Sequence, residues 1–465
     1  MTTLAAPRAP ERAAGATAAL ALPGAATLLA LMNYTAPMAV LTDTAAGLRA
    51  GPTAQIWLMS SISLGLAAAL LAVGSLADDH GRRRVFVLGA VLLAVSSAGC
   101  ALAPNAAVFV AGRIAQGAAS AALIAAGLGI IGATFAPGPR RSHATGLWGA
   151  MLGLGIALGP IAAAGLGALG GWRLWYWATV AASALLAAVA ARTLHESRAG
   201  RRRGLDLPGV VTMSLGVAAL LAAITWGRIG WGRPEVIGLL VLAAVLLAAF
   251  VAVESRRRAP MLDLALFRRP RFLLSVVGAL LTGLGIIGVM SYVPTVLAVV
   301  LGMSPLSAAL LLSIWSGLSF VAAAQARRLP ARLPAGRLLA AALALNAAGQ
   351  LGLLGFAPGE HWWRMVPGLV VAGIGSGLGN AMLARLAVES VPADRAGMGS
   401  GAGNTARYIG ASLGVALVGT IVTGTGDGHA RPAEAFAHGA DIALVVCSLV
   451  AVLGAVFAAL VRERD

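Results

Sequence analysis

The sequence of 465 residues contains no lysine: all 34 of its basic residues are arginine. Charged residues of both signs make up 11% of the chain, against about a quarter in an average soluble domain. A soluble protein of this composition would have almost no surface to offer water, which excludes a soluble enzyme or binding module. The two cysteines, Cys100 and Cys447, lie inside apolar stretches without metal-ligand spacing, so neither a disulfide framework nor a cysteine metal site is indicated. The six histidines fall in loops or at the ends of apolar stretches, and His195-Glu196 has no second histidine after it. No metal cluster, nucleophile or carboxylate pair is visible in the apolar stretches. The reading is therefore no enzyme, no metal and no cofactor.

What is present is apolar length. Hydrophobic residues make up 59% of the chain and mean hydropathy is +0.87. They gather in blocks of roughly twenty residues, the length that crosses a hydrocarbon core about 30 Å thick. The blocks run approximately 20–42, 56–77, 85–104, 107–134, 145–167, 174–194, 207–226, 236–254, 273–300, 305–325, 338–357, 365–388, 398–423 and 438–461. Fourteen transmembrane helices are expected, with both termini on one side. The stretch before them, Met1 to Ala18, reads as a polar tail prone to disorder. The first block is too long for a signal-peptide core and is taken as a retained span. The 60 glycines suit helices that pack closely in lipid.

The net charge of +17 would suggest nucleic acid in a soluble chain, but its placement points elsewhere. With a cytoplasmic N-terminus, twenty-six of the 34 arginines fall in inner loops, tails or inner span ends. They include Arg82–Arg84, Arg140–Arg141, Arg201–Arg203, Arg256–Arg258 and Arg327–Arg328. Six fall outside, and two, Arg113 and Arg407, lie deep in spans. The positive-inside rule then puts both termini in the cytoplasm. Trp172, Trp226, Trp231, Trp362 and Trp363 would form an outer aromatic belt. Longer inner loops flank the seventh and eighth spans, which read as a pair inserted between two six-helix bundles. The expected organisation is a tail 1–18, a first bundle 19–194, an inserted pair 195–272, a second bundle 273–461 and a tail 462–465.

Four stretches carry more than hydropathy. Between spans two and three stand Gly74, Asp78, Gly81, Arg82 and Arg83. Asp78 sits at the C-terminal end of its helix, where the dipole disfavours a carboxylate, so it should seek a cation such as Arg82 or the N-terminus of a neighbouring helix near Gly397–Ser400. This spacing resembles the G-x-x-x-D-x-x-G-R-[KR] signature loop of the major facilitator superfamily. The resemblance implies that the cluster latches the cytoplasmic side of a transporter in one conformation.

Span four carries Arg113-Ile-Ala-Gln116-Gly117, which resembles the R-x-x-Q-G motif of drug:proton antiporters. Arg113 lies about 9 Å below the helix start at 1.5 Å per residue, where a charge is costly and usually functional. Span five holds a ladder, Gly149, Gly153, Gly155 and Gly159, ending in Pro160, similar to the exporter antiporter motif. Glycines four apart leave a flat face for another helix, and Pro160 permits a kink. Span thirteen holds Asn404-Thr405-Ala-Arg407-Tyr408, which resembles the N-T-x-R stretch of fourteen-span drug:proton antiporters, with Tyr408 in place of Gln. The implied fold is all-α, a major facilitator fold of two bundles plus two inserted helices, over nearly the whole chain.

The resemblance has a gap. The L-D-x-T of the first span, whose aspartate is the family's proton site, is here Met32, Asn33, Tyr34 and Thr35. An amide does not titrate. None of the 17 acidic residues lies deep in a span, which leaves Asp43 at the outer end of span one as the first proton candidate and Asp441 as the second. The expected activity is proton-coupled export of a small organic compound, an antibiotic or toxic metabolite, by alternating access. Asn33, Tyr34, Arg113, Gln116, Tyr292, Trp315, Asn380, Asn404 and Arg407 are the expected cavity or coupling residues. The deep charges are both positive, so neutral, zwitterionic or anionic substrates are favoured. The chain is expected to act as a monomer in a bacterial inner (plasma) membrane, in contact with lipid and protons and not with nucleic acid. Two alternatives are a metabolite facilitator or uptake carrier and a transport-inactive scaffold or sensor.

Overall fold

The computed structural model describes residues 9–199, 206–257, 260–329, 333–355, 357–424 and 432–461. Arg201–Arg203, Arg258, Arg332, Arg431 and the tail 462–465 lie outside them. Helices account for the ordered elements, with no strand among the described residues. The first part comprises α1 (Ala9–Thr35), α2 (Pro37–Gly47), α3 (Pro52–His80), α4 (Arg82–Ala101), α5 (Ala106–Thr134), α6 (Pro139–Gly170) and α7 (Arg173–Thr193). A hairpin follows, α8 (Leu207–Gly227) and α9 (Pro234–Arg256). The last part comprises α10 (Pro270–Thr282), a π-turn (Gly283–Ile287), α11 (Gly288–Met290), α12 (Val293–Leu301), α13 (Pro305–Gln325), α14 (Ala335–Leu351), α15 (Val366–Glu389), α16 (Ala396–Gly424) and α17 (Pro432–Leu460).

Proline and capping side chains set where these helices begin. Pro52, Pro139, Pro234 and Pro270 occupy first turns, where an N–H would have no helical acceptor. Asn105 and Ser304 accept hydrogen bonds from Val108 N and Ser307 N at the starts of α5 and α13. The break between α1 and α2 falls at Pro37, and Val40 leaves helical geometry at φ −122°, ψ 16°. Span one is thus two helices, and α1 begins at Ala9, so the stretch read as tail to Ala18 is helical over its second half.

Thirteen helical segments among the described residues are long and apolar enough to cross a membrane. α14 falls just short at 17 residues, about 25 Å at 1.5 Å per residue. Its role follows from its neighbours. Trp315 bonds Ser376 and Asn380 bonds Ser319, so α13 and α15 run parallel and α14 must carry the chain back between them.

α1 and α3 to α7 pack on one another, as do α10 to α17. The two groups meet where α3 and α5 touch α16, and α6 touches α13 and α15. The α8–α9 hairpin leans on α3 and α16 across this seam. α9 buries only Val236, Ala243, Phe250 and Glu254 along its length. Leu88, Val95, Leu185, Val245 and Leu453 are likewise exposed, as on a surface that lipid covers. Trp231, Trp362 and Trp363 are exposed, but Trp172 is not in an outer belt. It is buried against Phe109 and Tyr176, with the Arg173 guanidinium 4.3 Å above its ring.

Candidate functional site

At the arginine-rich end of the seam, the Asp78 carboxylate gathers four donors. Arg82 Nε and Nη2 reach Oδ1 at 2.9 and 2.7 Å, Gly397 N reaches Oδ1 at 3.2 Å and Met398 N reaches Oδ2 at 2.8 Å. The last two are free N–H groups in the first turn of α16, which lies in the other helix group. Arg82 also donates to Asp394 O at 2.7 Å. The glycines make this approach possible. A Cβ on Gly74 would collide with Gly397 O, and Gly81 has φ +120° with the Glu196 carboxylate 2.7 Å from where a Cβ would sit. Glu196 accepts from the N–H of Arg83 and Arg84, and Arg83 donates to Ala191 O. One member of this cluster is not legible as such in the sequence: Arg395 Nη1 bonds Asp79 Oδ1 at 2.8 Å, both side chains buried.

A second polar cluster is closed off inside the first group. Arg113 is fully buried on α5. Its Nη1 donates to Asn33 O at 2.9 Å, Asn33 Oδ1 at 3.3 Å and Gln116 Oε1 at 2.9 Å. Gln116 Nε2 in turn donates to Ser97 Oγ at 2.8 Å. The structure brings Asn33, Arg113 and Gln116 together, which the motifs did not foresee, and none of the three lines the seam cavity.

That cavity, of about 310 Å³, lies toward the end of the seam opposite the arginine clusters. Tyr34, Thr35, Met38 and Ala39 of α1 and α2, and Ile156 and Pro160 of α6, form one wall. Ile287, Met290, Ser291, Thr295 and Ala298, with Leu312 and Trp315 of α13, form the other. No charged side chain lines it. The Tyr34 hydroxyl accepts from Ser63 Oγ at 3.2 Å, and the Tyr34 ring lies 5.7 Å from that of Tyr408. Beyond Trp315 a small pocket is bounded by Ser319, Asn346, Asn380 and Arg407, and a third by Trp148, Asn380, Asn404 and Arg407. Arg407 thus stands between the main cavity and the Asp78 cluster.

The floor of the cavity is held by a chain of polar groups. Trp315 Nε1 donates to Ser376 Oγ at 3.0 Å and Ser376 Oγ to Asn346 Oδ1 at 2.8 Å. Gln350 Nε2 donates to Gly285 O in the π-turn at 3.0 Å. Asn346, Ser376 and Gln350 were not singled out from the sequence. Their signal was that each is one of the few polar residues in its apolar block.

Two further residues stand away from the main cavity. Tyr292 does not line the main cavity; it faces α17, stacked on Phe436 at 6.3 Å. The π-turn shifts the register of everything after it, so Ser291 and Thr295 face the cavity instead. Asn404 folds back on its own helix, Nδ2 to Ser400 O at 3.0 Å, and borders only the inner pocket. Asp43 lies exposed on α2, beyond the kink, and Asp441 accepts from Gly355 N at 2.9 Å. Gly155 and Gly159 do serve close packing, with a Cβ at Gly155 standing 2.7 Å from Leu31 Cβ and one at Gly159 standing 2.6 Å from Met32 O.

A seam between two helix groups, clamped at one end and hollow toward the other, suits a carrier better than a catalyst. The profile of the Major Facilitator Superfamily matches residues 24–415. The chain belongs to the major facilitator superfamily. It is 31% identical over 367 residues to the multidrug resistance protein Stp of Mycobacterium tuberculosis, covering 79% of this chain and 68% of that protein. It is 31% identical over 451 residues to the puromycin resistance protein pur8 of Streptomyces alboniger, covering 93% and 89%. Among solved structures it resembles the human organic anion transporter MFSD10 at a TM-score of 0.70 and 17% identity, covering 97% of this chain and all of that one; this likeness speaks to the fold. As a major facilitator, the chain is a multi-pass membrane transporter and not an enzyme.

Proposed function

We propose that this major facilitator exports small organic compounds of the antibiotic or drug class, coupled to protons, by alternating access. The observation that carries the reading is the cavity of about 310 Å³ at the seam, closed from the arginine-rich face by the Asp78 cluster. Bundles 19–194 and 273–461 would rock about that seam, with 195–272 an inserted pair, near the midplane where such sites form. The names of the relatives, a multidrug and a puromycin resistance protein, support export as the direction. The arginine-rich face is assigned to the cytoplasm, with both termini there and the cavity turned outward.

The substrate is a neutral, zwitterionic or anionic molecule with apolar bulk. Met38, Met290, Ile156, Ile287 and Trp315 give the cavity an adaptable apolar lining, and hydroxyls supply its hydrogen bonds. No carboxylate lines it, so an organic cation would enter without a counter-charge. Protons are exchanged at the outer mouth, where Asp43 is the assigned group. The chain acts as a single unit.

The test is a susceptibility and accumulation panel in an efflux-deficient host, followed by transport in proteoliposomes under an imposed proton gradient. Gradient-driven extrusion of a neutral or anionic drug is expected, lost in Asp43→Asn. Uptake of a nutrient, or robust extrusion of a quaternary ammonium compound, would overturn the direction or the substrate class respectively.

A further inference from the structure

Arg113 places a guanidinium in a site with no solvent exposure. Two other buried arginines are compensated by charge, whereas Arg407, also buried, meets no carboxylate among the described residues. Arg82 and Arg395 each meet a carboxylate, at 2.7 and 2.8 Å, and Arg141 donates to the carbonyls of Gly132 and Phe135 at the end of α5. Arg113 has only neutral acceptors, and all of them sit on Nη1. Its Nε and Nη2 have no partner, and neither does Asn33 Nδ2. No carboxylate pairs with it among the described residues.

The free groups are arranged for one kind of ligand. Nε and Nη2 form a single edge of the guanidinium, two parallel N–H bonds in one plane, which is the fork that carboxylates take bidentately. Asn33 lies on the other side of the group, its Oδ1 3.3 Å from Nη1. The site lacks negative charge and lacks acceptors. One small anion supplies both, and no cation or neutral donor supplies either.

We propose that Arg113 binds a small monovalent anion, a halide or a carboxylate, inside the first bundle, separate from the seam cavity. The anion neutralises the guanidinium and accepts from Nε and Nη2, while Asn33 holds the opposite, Nη1 side of the guanidinium in place. Bulk chloride and the carboxylate of a small organic acid share this chemistry.

The test uses the full-length protein in detergent, at constant ionic strength, with gluconate, chloride or formate as the anion. Gluconate is too bulky for a closed site, so the melting midpoint should rise by roughly 3 °C or more in chloride or formate, saturably. A rise in formate alone keeps the site and assigns it to carboxylates; a rise in chloride assigns it to halide as well. Asn33→Asp places a carboxylate on the atom already 3.3 Å from Nη1, so this variant should lose the anion dependence and match or exceed the loaded wild type. Arg113→Gln should also lose it if the variant folds, and Asn33→Asp decides the matter if it does not. Identical wild-type midpoints in all three anions, or an Asn33→Asp protein that keeps the wild-type dependence, overturns the proposal. No arm uses transport, so the export reading stands or falls independently.

Discussion

Asp79 and Arg395 meet at 2.8 Å across the seam, one residue from the Asp78 carboxylate that accepts from Gly397 N and Met398 N. Two adjacent carboxylates on α3 therefore hold the same end of α16, one through backbone N–H groups and the other through a buried guanidinium. Removing one partner of a buried ion pair strands the other charge, at a cost of about 3 kcal/mol or more. Asp79→Asn and Arg395→Gln should each shift the carrier toward the conformation open at the arginine-rich face, by roughly a hundredfold. The double variant should recover part of that shift. Maleimide labelling of a cysteine placed at Ser400, which is buried in the closed seam, reads the opening. Asp78→Asn should lower transport at unchanged expression, and wild-type rates there would remove the cluster from the transport cycle.

On α6 the ladder makes a prediction with its own control. A Cβ at Gly159 would collide with Thr35 Oγ1 and stand 2.6 Å from Met32 O, whereas Gly165 has nothing within 4 Å. Gly159→Ala should cost about 1–3 kcal/mol through overpacking against α1. Gly165→Ala should be neutral or slightly stabilising, since alanine is the better helix former. Melting midpoints in detergent and steady-state efflux separate the two. Equal effects would show that the α1–α6 contact is not what the ladder serves.

The cavity itself can be filled. Ala298 lines it and is exposed into it. Ala298→Trp should occupy much of the roughly 310 Å³ and abolish efflux while the protein still reaches the membrane. Ser376→Ala acts one layer below, leaving the Trp315 N–H unpaired at a cost of about 1–3 kcal/mol. It should change the ranking of transported compounds more than the maximal rate, measured as susceptibility ratios across a drug panel.

At the ends of the hairpin, Glu254 and Asp206 are buried with one free oxygen each, Oε1 and Oδ2, both beside Gly209. Two carboxylate oxygens cannot bond without a proton between them. Glu254→Gln supplies a permanent N–H toward Asp206 while its carbonyl still serves Leu262 N, so it should stabilise by about 1 kcal/mol. Asp206→Asn should destabilise, because Arg257 loses the carboxylate 3.2 Å away. Thermal melts of the two variants check the opposite signs.

The sequence showed this fold in proportion to how local each signal was. Hydropathy runs marked the spans, and the signature spacing paired Asp78 with Arg82 and with the helix start near Gly397, as the structure has them. Asp79 with Arg395 was not legible: their partnership spans 316 residues, and each reads alone as one more charge in a loop. Tyr292 was misplaced because nothing in Gly283–Ile287 announces a π-turn, and one extra residue per turn rotates all that follows. Asn346, Ser376 and Gln350 were visible as polar residues in apolar blocks, but a single chain does not say which of its polar residues face one another. Asn33 was read correctly as unable to titrate. The lack of a deep acid to neutralise Arg113 was also legible; that Asn33 is the residue Arg113 touches required the packing.

The seam is faced with glycine on both of its contact lines. Gly149 and Gly153 set α6 against Asn380 and Ser319, while Gly74 of α3 meets Gly397 and Gly401 of α16 meets Leu70. Side chains that interlock like cog teeth must disengage before two helices can slip past each other. Bare backbone faces have no teeth, so the sliding friction between the two halves is low along both lines. Resistance to motion is then expected to concentrate in the few polar clasps at one end, so that weakening those hydrogen bonds should change the rate of the cycle more than any substitution along the glycine lines.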